Sequence, residues 1–249
     1  MKPTGNTILI TGGGSGIGEA LAHRFHDMGN TVVIAGRRQA ALDAVASGRA
    51  NIHTMTLNID DPAAIQTFAA QVTARFPALN VLVNNAGIMR VEALDSSRDL
   101  TDAEATISSN LLGPIRLTNA LIDHLVARSD GVVVNVTSGL AFVPLVATPT
   151  YSATKAALHS YTIALRAALA GRVEVIELVP PAVQTDLTPG QSTREGYLPL
   201  EAFADEVLAL FGQTPTPEEI LVQRVHPLRF AERDGFATML ERLNGQVHH

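Results

Sequence analysis

Tyr151 and Lys155 stand four residues apart in Tyr151-Ser152-Ala153-Thr154-Lys155, so on a helix their side chains share one face. A phenol has an ordinary pKa near 10 and is a poor base at neutral pH. A nearby ammonium favours the phenolate, and reaching a pKa of about 7 takes about three units, or roughly 4 kcal/mol. Two buried cations can supply that; one exposed lysine cannot. Such a pair can move a proton to or from a reacting oxygen. Tyr-x-x-x-Lys alone occurs by chance on many helices. Here Ser138 ends a β-branched run 13 residues earlier and offers a second hydroxyl for the same oxygen.

These groups need a frame, and the chain alternates strand and helix patterns from its first residues. Near-continuous aliphatic runs at 7–11, 31–35, 51–57, 79–83, 132–137 and 173–179 read as parallel strands covered on both faces. Amphipathic stretches at 16–28, 38–47, 62–75, 102–128 and 151–170 fill the gaps. Asp61-Pro62 reads as an N-cap followed by proline at the first helical position. The alternation predicts α/β architecture: a single doubly wound Rossmann-type domain over 1–249, with a mostly parallel sheet of about seven strands and helices on both faces. Residues 186–212 read as a mobile substrate loop and helix, with the helix at 201–211. A late strand is expected at 220–224, and 225–249 follows no common pattern. In such sheets ligands bind outside the carboxyl ends of the strands, where Ser138 lies.

The first strand runs into Thr11-Gly12-Gly13-Gly14-Ser15-Gly16-Ile17-Gly18 and then a helix. Gly12, Gly14, Gly16 and Gly18 permit a sharp turn and close backbone approach. Ser15, Ile17 and the helix N-terminus then offer N–H groups and a positive dipole end to a pyrophosphate. The spacing is Thr-Gly-x-x-x-Gly-x-Gly, not the common Gly-x-Gly-x-x-Gly; a ligand-free glycine turn is the alternative. About 20 residues on, a carboxylate would select the ribose hydroxyl of NAD. The chain has Ala35-Gly36-Arg37-Arg38 there, and a guanidinium suits a 2′-phosphate. NADP(H) is therefore preferred, with Arg37 the favoured contact and the Ser15 hydroxyl a further one; NAD(H) remains the alternative if Arg37 and Arg38 are only solvated charges.

With these motifs in order, the chain resembles the short-chain dehydrogenase/reductase family. The glycine cradle, Asn84-Asn85-Ala86-Gly87 after the fourth strand, and Ser138, Tyr151 and Lys155 carry the resemblance over about residues 7–187. It implies cofactor contacts from Asn85, Ala86 and Gly87, and from Lys155 to the nicotinamide ribose. It also implies a fourth catalytic residue, Asn110, whose carbonyl binds a water that relays protons to the lysine. Pro114 supports this on physical grounds: it has no N–H to bond the Asn110 carbonyl four residues earlier. The implied reaction is hydride transfer between NADP(H) and a carbonyl or alcohol, with Tyr151 as acid and base and no metal. Homodimers or homotetramers are implied as well.

Three positions depart from the family pattern. Asn58 before Ile59 replaces a frequent aspartate near the adenine, although both remain candidate contacts. Pro180-Pro181 replaces Pro-Gly near the carboxamide, leaving Pro181, Val183 and Thr185 as contacts. Val225-His226-Pro227-Leu228-Arg229-Phe230 replaces a glycine-rich end. Met89, Leu140, Phe142, Val143, Pro144 and Leu187, with Ser138 and Tyr151, form the expected substrate wall, so a small apolar substrate is expected. Arg90 and Arg194 read as surface charges, and His159, one turn past Lys155, as a structural or interface histidine.

Composition narrows the field. The 249 residues are 46% hydrophobic and 17% charged, with net charge −6, which argues against a nucleic-acid partner. No apolar run approaches the roughly 20 residues of a membrane span. Absence of cysteine and of a signal-peptide core fits the cytoplasm. A catalytically silent dinucleotide-binding scaffold would not need Asn110, Ser138, Tyr151 and Lys155 together. A nicotinamide-dependent epimerase or lyase would be expected to carry a separate substrate domain.

Overall fold

The computed structural model describes residues 1–245. Its seven strands are β1 (Thr7–Thr11), β2 (Thr31–Gly36), β3 (Ile52–Thr56), β4 (Leu79–Asn84), β5 (Val132–Val136), β6 (Glu174–Val179) and β7 (Glu219–Leu221). They form one parallel sheet in the order β3-β2-β1-β4-β5-β6-β7. The order reverses between β1 and β4, and the crevice opened there receives the glycine turn after β1 and the Asn85–Gly87 loop after β4.

The helices are α1 (Gly16–Asp27), α2 (Gln39–Ala46), α3 (Pro62–Arg75), α4 (Thr101–Ile107), α5 (Gly113–Val126), α6 (Pro149–Ala168) and α7 (Leu200–Phe211). Strand side chains alternate between two cores. Ile8, Ile10 and Ile34 pack with Leu21 and Phe25 of α1, Leu42 of α2 and Phe203 and Phe211 of α7. Leu9, Val33 and Leu82 pack with Ile65 and Phe68 of α3, Leu117 and Leu121 of α5, and Leu165 of α6. Burial on both faces is why the strands read as unbroken apolar runs. Asp61 caps α3, accepting from Ala63 N–H at 2.8 Å and Ala64 N–H at 3.2 Å, with Pro62 first in the helix.

The helix expected over 102–128 is three elements. Between α4 and α5 lies a π-helical turn, Ser108–Leu112, closed by the Gly113 N–H reaching back to the Ser108 carbonyl. Pro114 gives the physical reason, because a regular helix would need its missing N–H. Gly113 also lies against Ile59, whose Cγ1 a Cβ would meet at 2.6 Å. The last strand ends at Leu221 rather than 224: Gln223 turns into a 3-10 segment, its N–H held by Glu206 at 2.6 Å. Beyond it come α8 (His226–Arg229), α9 (Ala231–Asp234) and α10 (Phe236–Asn244). The final residues 246–249 of the atypical C-terminal segment lie outside the described residues. No described helix is long and apolar enough to cross a membrane.

Candidate active site

A cleft of about 580 Å³ runs along the carboxyl ends of the strands, with Arg37 and Arg38 at one end and Ser138, Tyr151 and Lys155 at the other. Its floor begins at the glycine turn. Gly12 and Gly16 have φ of 68° and 57°, a left-handed conformation that side chains disfavour. At Gly18 a Cβ would collide with the Gly12 carbonyl and with Asn85 Nδ2, so this glycine lets α1 start against the β4 loop. No side chain caps the first turn of α1, which leaves its N–H groups and dipole directed at the cleft. Thr11 ties the two loops together: its hydroxyl accepts from the Asn85 and Ala86 N–H groups at 3.0 Å each, and its carbonyl from Asn85 Nδ2 at 2.9 Å.

Of the expected cofactor positions, Gly12, Gly14, Ser15, Gly16, Ile17, Arg37, Arg38, Ile59, Asn85, Ala86, Gly87, Pro181, Val183 and Thr185 line the cleft. Gly18 and Asn58 do not. Asn58 is exposed, and its side chain accepts from the Asp60 N–H at 3.3 Å, while Leu57, Ile59 and Asp60 reach the cleft instead. The sequence reading passed over Asp60 and Ser109, joined at 2.5 Å; only the fold brings the π-helical turn beside the β3 loop. Arg37 and Arg38 are exposed and make no ion pair with a carboxylate among the described residues. Uncapped backbone N–H groups at the start of α1 and two guanidinium groups without a carboxylate partner among the described residues fit a phosphate-rich dinucleotide with a further phosphate at its adenosine end.

At the other end, Tyr151 and Lys155 are buried on α6. Lys155 Nζ donates to the Val136 carbonyl at 2.8 Å and lies 5.6 Å from the Tyr151 ring centre. Burial pushes the Lys155 amine down to about 8. The same burial pushes the Tyr151 phenol up to about 12, against a hydrogen bond with the Ser138 hydroxyl that lowers it. The lowered phenol expected from the sequence needs two buried cations; with Lys155 alone beside it, burial leaves the phenol raised. Asn110, in the π-helical turn, is fully buried. Its Oδ1 accepts from the Ile88 N–H and its Nδ2 donates to the Ile88 carbonyl, both at 2.8 Å. A Cβ on Gly87 would meet Asn110 Oδ1 at 3.0 Å, so the glycine admits this clamp.

Two outlying carboxyl and amide groups hold the walls. Glu92 accepts from the Thr150 N–H at 3.1 Å, from the Thr150 hydroxyl at 2.9 Å and from Arg98 at 2.7 Å. It thereby caps α6 from another segment, just before Tyr151. Although burial works against it, the hydrogen bonds from Arg98 and Thr150 hold its carboxyl below the usual range. Asn244 of α10 accepts from the Val146 N–H at 2.7 Å and donates to the Pro144 carbonyl at 3.1 Å.

Among the expected substrate wall, Leu187 lines the cleft with Ser138 and Tyr151, whereas Met89, Leu140, Phe142, Val143 and Pro144 do not. Val143 is wholly buried, and Phe142 sits between the His159 ring (centres 4.7 Å apart) and the Arg229 guanidinium at 4.7 Å. Arg90 lines the cleft and lies 3.5 Å from Asp102; Arg194 stacks on Tyr197.

A short chain dehydrogenase family model matches residues 6–196. The chain is 38% identical over 250 aligned residues to the uncharacterized oxidoreductase DltE of Bacillus subtilis (strain 168), covering 99% of each. Its fold is similar to a short chain dehydrogenase from Burkholderia cenocepacia J2315 in complex with NADP, with TM-score 0.84 and 24% identity, over 98% of this chain and 99% of that one. It is also similar to the closed form of a serine dehydrogenase complexed with NADP+, with TM-score 0.76 and 27% identity, over 85% and 90%.

Proposed function

This chain belongs to the short-chain dehydrogenase family, and we propose that it is an NADP(H)-dependent oxidoreductase acting on a small, apolar carbonyl or alcohol, with Tyr151 as general acid and base. The observation that carries the reading is one cleft with two unpaired arginines at its phosphate-binding end and buried Ser138, Tyr151 and Lys155 at the other. The NADP+ in the similar serine dehydrogenase supports the choice of cofactor.

The glycine turn and α1 would hold the pyrophosphate, Arg37 and Arg38 the 2′-phosphate, and Lys155 the nicotinamide ribose. When bound, the dinucleotide supplies or takes up the hydride. Ser138 holds the substrate oxygen. In reduction Tyr151 is neutral at pH 7, since burial keeps its phenol near 12, and it donates its proton to that oxygen. In oxidation it must accept the proton, and the Lys155 ammonium then stabilises the phenolate. The Asn110 carbonyl, freed by Pro114, holds the water that returns protons through Lys155. Leu187 and Ile88, which line the cleft with Ser138 and Tyr151, support an apolar substrate. Assembly as a homodimer or homotetramer and a cytoplasmic location belong to the same reading.

The test measures NADPH and NADH affinity and then turnover of a panel of ketones and aldehydes. Arg37→Ala should weaken NADPH about tenfold, the lower end for a charged hydrogen bond at an exposed site, and leave NADH unchanged. Tyr151→Phe should abolish turnover while NADPH still binds. Equal affinity for NADH and NADPH in the wild type, or an active Tyr151→Phe, overturns the reading.

A further inference from the structure

Glu177 is an ionisable group in the interior that hydride transfer does not use. It lies in β6 with no exposure, and each carboxylate oxygen serves a different element. Oε1 accepts from the Thr137 hydroxyl at 2.6 Å. Oε2 lies 2.7 Å from His159 Nδ1. Thr137 immediately precedes Ser138, whereas His159 sits two turns beyond Tyr151 on α6. The carboxylate thus bridges the two elements that carry the two hydroxyls of the site. Its neighbours are arranged to leave that bridge undisturbed. The other carboxylate nearby, Glu219 of β7, is taken by the Arg229 guanidinium at 2.9 and 3.0 Å. Phe142 covers the His159 ring, and Gly139, after Ser138, has no Cβ where Leu228 packs. Backbone bonds tether the strand end to β6 and the residue after it: Thr137 N–H to the Leu178 carbonyl and Gly139 N–H to the Pro180 carbonyl, both 2.9 Å. Neither reaches α6, which Lys155 Nζ ties to the Val136 carbonyl at 2.8 Å and Glu177 ties to Thr137.

We propose that Glu177 is a positioning residue for the acid–base pair: by holding Thr137 with one oxygen and His159 with the other, it sets the separation of the Ser138 and Tyr151 hydroxyls. The inference rests on the reading of Ser138 and Tyr151 given above. A buried carboxylate is a costly way to fill space, but with two fixed donors it is a stiff bridge. A reacting oxygen held by two hydroxyls is sensitive to their spacing, and a misplacement of about 1 Å costs on the order of 100-fold in rate.

The experiment compares Glu177→Ala, Glu177→Gln and Thr137→Val with the wild type on a ketone that the wild type reduces. Thr137→Val, nearly isosteric, breaks one arm of the bridge if Glu177→Ala does not fold. Both breaking variants should lower kcat about 10- to 100-fold, with KM and NADPH affinity within about twofold. Their double variant should lose little more than either single one. Glu177→Gln should recover most of the rate, because an amide can accept from Thr137 and donate to a neutral His159. Crystal structures of Thr137→Val and the wild type should show the Ser138–Tyr151 hydroxyl distance lengthened in the variant. An unchanged kcat in a folded Thr137→Val, an unchanged hydroxyl distance, or a loss seen in KM instead of kcat overturns the proposal. If the wild type reduces nothing, the oxidoreductase reading falls first, and the hydroxyl distance still decides the role of Glu177.

Discussion

On the proposed mechanism, replacing Lys155 by Met removes the ammonium that stabilises the Tyr151 phenolate during alcohol oxidation. With the phenol pushed up to about 12 beside Lys155, ionising it at pH 7 costs about five pKa units, or roughly 7 kcal/mol. Removing an ammonium 5.6 Å from the ring centre raises that cost by about 3 kcal/mol at an effective dielectric constant of about 20. That is about two pKa units, so Lys155→Met should lower the oxidation rate about 100-fold at pH 7. The deficit is itself pH-dependent. The amine is pushed down to about 8, so the wild type holds its cation below that pH and loses it above. The productive wild-type state, phenolate beside ammonium, stops growing above pH 8, whereas the variant's phenolate keeps rising with pH. The ratio of wild type to variant should therefore narrow by roughly tenfold per pH unit above 8. The assay is the oxidation rate across neutral and alkaline pH at saturating NADP+, with cofactor affinity measured separately. A deficit that stays constant with pH would refute the electrostatic role and leave Lys155 only a cofactor contact.

Glu92 is expected to tie stability to pH. Its folded-state pKa is held below the ordinary carboxylate value, so its contribution is present above that ordinary value and lost as pH falls through the lowered one. Glu92→Gln should therefore lower Tm at neutral pH, and the gap should close in acid; a gap independent of pH would contradict the assignment. Asn244→Ala removes the bonds to Val146 and Pro144 and should cost about 1–3 kcal/mol by denaturant unfolding. The same change should raise KM for substrate more than for NADPH, because residues 144–146 lie on the chain that connects Ser138 to Tyr151. Equal effects on both constants would show that α10 does not shape the substrate side.

Much of the fold was legible because its signals are local. Parallel strands buried on both faces announce themselves as aliphatic runs, Asp61-Pro62 marks a helix start within two residues, and glycines record where backbone must turn or approach. Side chains on one helix face, such as Tyr151 and Lys155, are related by helical spacing alone. The arginines after β2 show their charge in the sequence but not their surroundings; in the structure neither has a carboxylate partner among the described residues.

What the sequence by itself determined, then, was the order of the elements, the glycine turn after β1 and the placing of Tyr151 and Lys155 on one helix face. Tertiary structure decided the rest, since it depends on what lies across space. Burial, not the nearby lysine, sets the direction of the Tyr151 shift. Contact with Ile59 and the missing Pro114 N–H turn one long helix into a π-helical joint that holds Asn110. Phe142 reads as substrate wall in sequence, yet it packs between His159 and Arg229, residues 17 and 87 positions away. Glu177 reads as one polar position in an apolar strand; only the packing of β5, β6 and α6 gives its two oxygens partners.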